Sequence, residues 1–278
     1  MLDSYKKTVI FELQRKYGFY LRKNYGQNLL TDLNIIRKIA DAGEISPEDT
    51  VVEIGPGFGA LTAEISRRAK KVIAIEIDRN LQPVLEEVFA DTENIDVVWE
   101  DFMKYDIGRN PTGFKLMGNL PYYITTPIIA KILESQRKPE RMVFMVQKEV
   151  AERICSPPGS KVYGAISVLA QYHCSTEIVM TVSKEVFIPK PDVDSAVMLL
   201  KPYEEKAVKV QNEKLFFDIV KAGFGQRRKM IRNSLGTIVE DRKRLDSAFS
   251  ASGISPDQRA EELGLAEFAA LADALVKP

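Results

Sequence analysis

Asn119-Leu120-Pro121-Tyr122 follows an apolar stretch, Phe114-Lys115-Leu116-Met117-Gly118, that reads as a buried strand. Pro121 removes a backbone donor and stops the strand. An amide and an aromatic ring are then presented together on a short, stiff loop. That pair suits a flat heterocycle with an exocyclic amine: the amide oxygen accepts from the amine and the ring stacks on the base plane. Taken alone, these residues favour an ordinary strand-end turn whose Tyr packs into the core. Other segments of the chain shift the balance.

Val51-Val52-Glu53-Ile54-Gly55-Pro56-Gly57-Phe58-Gly59 reads as a strand, a glycine loop and a helix start. Glycines let the chain turn tightly and let a ligand approach the backbone. Glu76 ends the next expected strand, where a carboxylate can accept from both ribose hydroxyls and would repel a 2′-phosphate. Asp101-Phe102 follows the third, and a carboxylate beside an apolar ring suits adenine. Singly, Glu76 more often marks a solvated strand end and Asp101 a helix cap. As a set at successive strand ends they point to an adenosine-type ligand. NAD competes, because Gly55-x-Gly57-x-x-Ala60 matches the dinucleotide fingerprint and Glu76 sits roughly 20 residues on. A dehydrogenase, however, needs a hydride-transfer acid, and the fourth strand delivers Asn-Leu-Pro-Tyr instead.

The elements that must position these residues follow from periodicity. Strands are expected at Thr50–Ile54, Lys71–Ile77, Ile95–Trp99, Phe114–Met117 and Met142–Val146. Helices are expected from Thr8, around Ile35-Ile36-Ile39 behind Thr31-Asp32, and at Phe58–Ala69, Leu81–Phe89, Thr125–Leu133 and Val162–Tyr172. Short apolar strands separated by helices predict a mostly parallel sheet covered on both faces. Thr176–Val182 and Val193–Leu200, joined through Phe187-Ile188-Pro189-Lys190-Pro191, predict an antiparallel edge. Pro202 and Glu204-Glu205-Lys206 read as a linker to an all-helical end, with Ser255-Pro256 as a helix start. The expected domains are 1–203 and 204–278.

Lys+Arg and Asp+Glu are equal at 39 each, so any attraction to nucleic acid must be local. Lys221, Arg227, Arg228, Lys229 and Arg232 form such a cluster, with Arg228 and Arg232 expected on one helical face; a solvated face is the other reading. Lys16 to Lys23 mixes basic and aromatic residues and reads equally as an RNA-touching arm or a helix cover. The single histidine, His173, reads as a packed or surface residue, and with Cys155 and Cys174 in no ligand spacing no metal is expected. No apolar run spans a membrane and the N-terminus has no signal-like core, so a cytoplasmic protein is expected; nothing in the sequence suggests an obligate dimer, so a monomer is expected.

At these residues the chain resembles the ribosomal RNA adenine N6,N6-dimethyltransferases, of the kasugamycin-resistance type that acts on 16S rRNA. The likeness runs through Gly26-Gln27-Asn28-Leu29-Leu30, the Glu53–Gly59 loop, Glu76, Asp101-Phe102, Asn119–Tyr122 and Phe187–Ser195. It continues through Phe224–Leu235 and Arg259–Leu263. Tyr25 and Leu29 depart from the family's usual Leu and Phe, which puts local packing in question. The resemblance implies a Rossmann-like class I methyltransferase fold with a small all-α C-terminal domain. It implies S-adenosyl-L-methionine as methyl donor and a small ribosomal subunit precursor as partner. By position, Asn28 and Leu30 would meet the cofactor's methionine end and Gly55 and Gly57 would line it. Glu76 would hold the ribose, and Asp101 with Phe102 the adenine. Asn119 and the Leu120 carbonyl would accept from the target N6 amine, while Tyr122 and Phe187 would sandwich the base. A 23S rRNA methylase of the antibiotic-resistance type and a non-catalytic assembly binder are the alternatives.

Overall fold

The computed structural model describes residues 2–19, 27–226 and 228–276. Half of the basic-aromatic arm, residues 20–23, together with Tyr25, Gly26 and Arg227, lies outside the described residues. In chain order the elements are α1 (Lys7–Tyr17), β1 (Leu29–Leu30), α2 (Leu33–Ala42), β2 (Thr50–Ile54), α3 (Ala60–Ser66), β3 (Lys71–Glu76), α4 (Gln82–Val88), β4 (Ile95–Trp99), β5 (Lys115–Asn119), α5 (Thr125–Glu134), β6 (Arg141–Gln147), α6 (Lys148–Cys155) and α7 (Ala165–His173). They continue with β7 (Cys174–Val182), β8 (Phe187–Ile188), β9 (Ser195–Pro202), α8 (Glu213–Gly225), α9 (Ile231–Leu235), α10 (Arg242–Ser252) and α11 (Leu265–Val276).

The main sheet has the order β4-β3-β2-β5-β6-β9-β7. Pairings β2–β3, β3–β4, β2–β5 and β5–β6 are parallel, and β9 runs antiparallel to β6. The reason is visible in the strands: Val51, Val52, Leu116, Met117, Val143 and Phe144 are fully buried, as strands covered on both faces must be. Chain order reverses between β2 and β5, and ligands bind at such a switch point beyond the strands' carboxyl ends. Those ends carry Gly55, Glu76, Asp101 and Asn119. Asp32 caps α2, accepting from Asn34 N–H at 2.8 Å and Ile35 N–H at 3.2 Å. Phe58 precedes α3 instead of opening it, because Gly59 takes a left-handed φ of 78° at the helix start.

The chain divides into two compact units, residues up to Ala151 with Glu177–Pro202, and Glu152–Thr176 with Tyr203 onwards. The expected boundary at 203 falls beside the second crossing, but Glu152–Thr176 groups with the helical end. The cause is apolar packing that sequence order hides: Tyr172 lies 5.1 Å from Phe216, ring to ring, in a core with Val168, Phe249 and Phe268. His173 is packed there against Tyr172 and Phe217. The helix expected at Ser255-Pro256 does not form. Ile231 N–H donates to Gln258 O and Arg232 N–H to Pro256 O, holding that segment as a turn until α11.

Candidate active site

Gln27, Asn28, Leu30, Glu53, Gly55, Gly57, Glu76, Asp101, Phe102 and Asn119 line one cavity of about 260 Å³. The seven residues expected to hold a cofactor therefore meet around a single space, together with Asn119. Gly57 holds a left-handed φ of 56°, which a side-chain-bearing residue adopts only with strain. A Cβ there would also come within 3.0 Å of Leu29.

Two carboxylates stand at the base of the loop. Glu53 is 1% exposed and its Oε2 has no hydrogen-bond partner, while burial pushes its carboxyl up to about 8. Thr62 favours the charged form and the nearby Glu76 opposes it. Burial also pushes Glu76 up to about 7, against the N–H groups of Asp78, Ile77 and Gly57 that favour its anion. Asp78 N–H reaches Glu76 Oε1 at 2.8 Å. A buried carboxylate held ready to accept fits a ribose diol. Glu53 is a cavity residue that sequence reasoning passed over. An acid on an otherwise apolar strand, one residue before the Ile-Gly of the loop, was the available signal.

Asp101 Oδ1 accepts from Met103 N–H at 2.8 Å, so it caps its turn and lines the cavity at once. Phe102 is buried against Tyr105. Lys131 on α5, also missed in the sequence, donates to Phe102 O and Tyr105 O, both at 2.7 Å, and lies over the Phe102 ring at 5.4 Å. It ties the loop after β4 to the helix that follows the Asn-Leu-Pro-Tyr run.

Asn119 Nδ2 donates to Asn28 O at 2.8 Å. The contact turns the amide so that its oxygen is the end left to accept from a ligand. Leu120 is buried and its N–H donates to Met145 O at 2.9 Å. Thr125 Oγ1 donates to Pro121 O at 2.9 Å, closing the loop onto α5. Tyr122 is half-buried, and its hydroxyl lies 2.7 Å from Ser195 Oγ on β9. Burial raises the Tyr122 phenol, and Ser195 works against that shift.

Phe187 departs from expectation. It is 2% exposed, pairs with Leu30 across β1 and β8, and packs with Val182 and Val197. Its ring is buried in that apolar cluster, which leaves it no exposed face. The basic cluster departs as well. Lys221, Arg228, Lys229 and Arg232 are exposed, but α8 ends at Gly225 and α9 starts at Ile231. Arg228 and Arg232 therefore share no helical face. The turn between them is fixed by the bridge of Met230 to Arg259. Among the described residues no group of His, Cys, Asp and Glu is arranged to hold a metal ion.

The family model for ribosomal RNA adenine dimethylase matches residues 18–277. A "Ribosomal RNA small subunit methyltransferase A" of Clostridium botulinum (strain Loch Maree / Type A3) is 44% identical over 267 residues, covering 95% of this chain and 97% of that protein. One of Geobacillus sp. (strain WCH70) is 46% identical, covering 95% and 94%. Among solved structures, a dimethyladenosine transferase from Plasmodium falciparum aligns with a TM-score of 0.76 at 25% identity, over 87% of this chain and 95% of that one. The 23S rRNA methyltransferase ErmE aligns at 0.71 and 29% identity, over 89% and 99%. With its parallel sheet, its glycine loop and its Asn-Leu-Pro-Tyr strand end, the chain belongs to the ribosomal RNA adenine dimethylase family.

Proposed function

We propose that this protein transfers methyl groups from S-adenosylmethionine to N6 of two adjacent adenosines near the 3′ end of 16S rRNA, in a small-subunit precursor, giving N6,N6-dimethyladenosine. The observation that carries this reading is the Asn119 amide, turned by Asn28 O so that its oxygen is available beside the cofactor cavity. When bound, S-adenosylmethionine supplies a methyl group already attached to a good leaving group. The unpartnered Glu53 oxygen and the strand-end carboxylates fit such a polar, adenosine-bearing molecule.

Glu76 accepts from the ribose hydroxyls, Asp101 from the adenine amine, and Phe102 covers an adenine face. Asn28 and Leu30 bound the methionine end, and Gly55 and Gly57 let the backbone come close. At the target, adenine N6 is a poor nucleophile because its lone pair delocalises into the ring. Asn119 Oδ1 and the Leu120 carbonyl accept its hydrogens and draw it toward a tetrahedral amine. Alignment of this kind is worth about 7–11 kcal/mol. The substituted nitrogen is cationic and acidic, so no strong base is needed, in keeping with a single packed histidine.

The target base leaves its stack at a cost of a few kcal/mol, and stacking on Tyr122 returns about 1–3 kcal/mol. Tyr122 keeps that role in this proposal, with Phe187 joining it only if β8 parts from β1. Lys221, Arg228, Lys229 and Arg232, with Arg227, are proposed to face rRNA. Primer extension on both rRNAs after incubation tests the reading. Stops at adjacent adenosines of small-subunit rRNA support it. Stops on large-subunit rRNA would assign the protein to the resistance type, and stops on neither would contradict methyl transfer.

A further inference from the structure

The segment ahead of α1 places Ser4 in the wall of the cofactor cavity. Ser4 is 2% exposed, and its Oγ has no hydrogen-bond partner. A buried hydroxyl left unpaired is destabilising unless something in the cavity completes it. Glu53 Oε2, also unpaired, lines the same cavity. Two orphaned polar atoms around one space call for a ligand that brings polar groups of its own.

Position selects which part of the ligand. Tyr5, the next residue, packs against the apolar cluster of Leu30, Ile36, Ile39 and Leu61. Leu30, Ile39 and Leu61 also form the cavity wall. This is the side of Leu30 and Asn28. The adenosine groups Glu76, Asp101 and Phe102 belong to other strand ends. We propose that Ser4 is a cofactor-binding residue, its hydroxyl hydrogen-bonding the α-amino-acid end of the bound nucleoside. The proposal rests on S-adenosylmethionine being the cofactor. It gives the stretch before α1, outside the family's shared motifs, a part in the site.

Calorimetry with two nucleosides tests it without turnover. S-adenosylhomocysteine carries the amino-acid end; 5′-methylthioadenosine lacks it. Ser4→Ala should bind S-adenosylhomocysteine roughly three- to tenfold more weakly, the effect of one lost hydrogen bond. Its affinity for methylthioadenosine should equal that of the wild-type protein, and Ser4→Thr should restore part of the loss. Equal affinity of Ser4→Ala and wild type for S-adenosylhomocysteine overturns the assignment, as does the same loss with both nucleosides. If the wild-type protein itself binds neither nucleoside, the cofactor reading falls, and Ser4 with it.

Discussion

Glu53 and Glu76 are the two groups whose protonation the fold sets furthest from water. Both carboxyls are raised, Glu53 to about 8 and Glu76 to about 7. A raised carboxyl binds protons more tightly folded than unfolded, so stability falls as pH climbs from the ordinary carboxylate range to the folded value and then levels. Glu53→Gln should therefore raise stability at pH 9, by an amount on the order of 2–4 kcal/mol, with a higher melting temperature there, and leave both nearly unchanged at pH 5. Thermal melts across that range check this; equal gains at both ends would mean Glu53 is not the group that ionises. Glu76 acts on the ligand. In the proposed site its anion accepts from the ribose hydroxyls, so affinity for S-adenosylmethionine should drop as pH falls through about 7, and Glu76→Gln should bind weakly and flatten the profile. Much of this site was legible in residue types: carboxylates at strand ends and an amide before Pro121 name their own chemistry. The burial of Phe187 was not legible, because flanking prolines say that a turn is rigid and nothing about which face is covered. Ser4 and Lys131 were invisible, since their meaning comes from neighbours distant in sequence, whereas Glu53 left a signal as the one acid on an apolar strand.

The strands deliver the site only while β2 and β5 stay in close register. Ile54 faces Gly118 in that pair, and a Cβ at Gly118 would lie 2.6 Å from Ile54 O. Gly118→Ala must push the strands apart one residue before Asn119. A loss of about 1–3 kcal/mol in denaturant unfolding is expected, with a larger fractional loss of transfer than of cofactor affinity. Lys131 works between elements as well, as a positioning residue for the loop that holds Asp101 and Phe102. Lys131→Met should weaken S-adenosylmethionine binding several-fold and leave the rate at saturating cofactor nearly intact. A fall in the saturated rate with unchanged affinity would remove Lys131 from that role. The alternation of apolar strands and amphipathic helices was enough to read this layer, including the antiparallel run near its end. Helix limits were less legible. The glycine at the start of α3 and the turn before α9 are set by backbone conformation and by hydrogen bonds to residues 256 and 258.

Charge is balanced over the molecule, so rRNA affinity must come from where the charges sit. Arg228→Glu with Lys229→Glu should raise the KM for small subunits about tenfold at low salt and reduce its salt dependence. Cofactor affinity should stay as it was. An unchanged salt slope would place the contact surface elsewhere. The boundary read near residue 203 lies beside a crossing between the two units, but sequence order hides the earlier excursion, in which Glu152–Thr176 contributes its apolar residues to the helical unit. The most direct measurement is mass spectrometry of the 3′-terminal rRNA fragment from under-methylated small subunits, after reaction with the wild-type protein and with Asn119→Ala. The wild-type protein should place two methyls on each of two neighbouring adenosines, while Asn119→Ala binds S-adenosylmethionine normally and adds almost none. Full dimethylation by Asn119→Ala, or an unmodified fragment from the wild-type protein, would contradict the account.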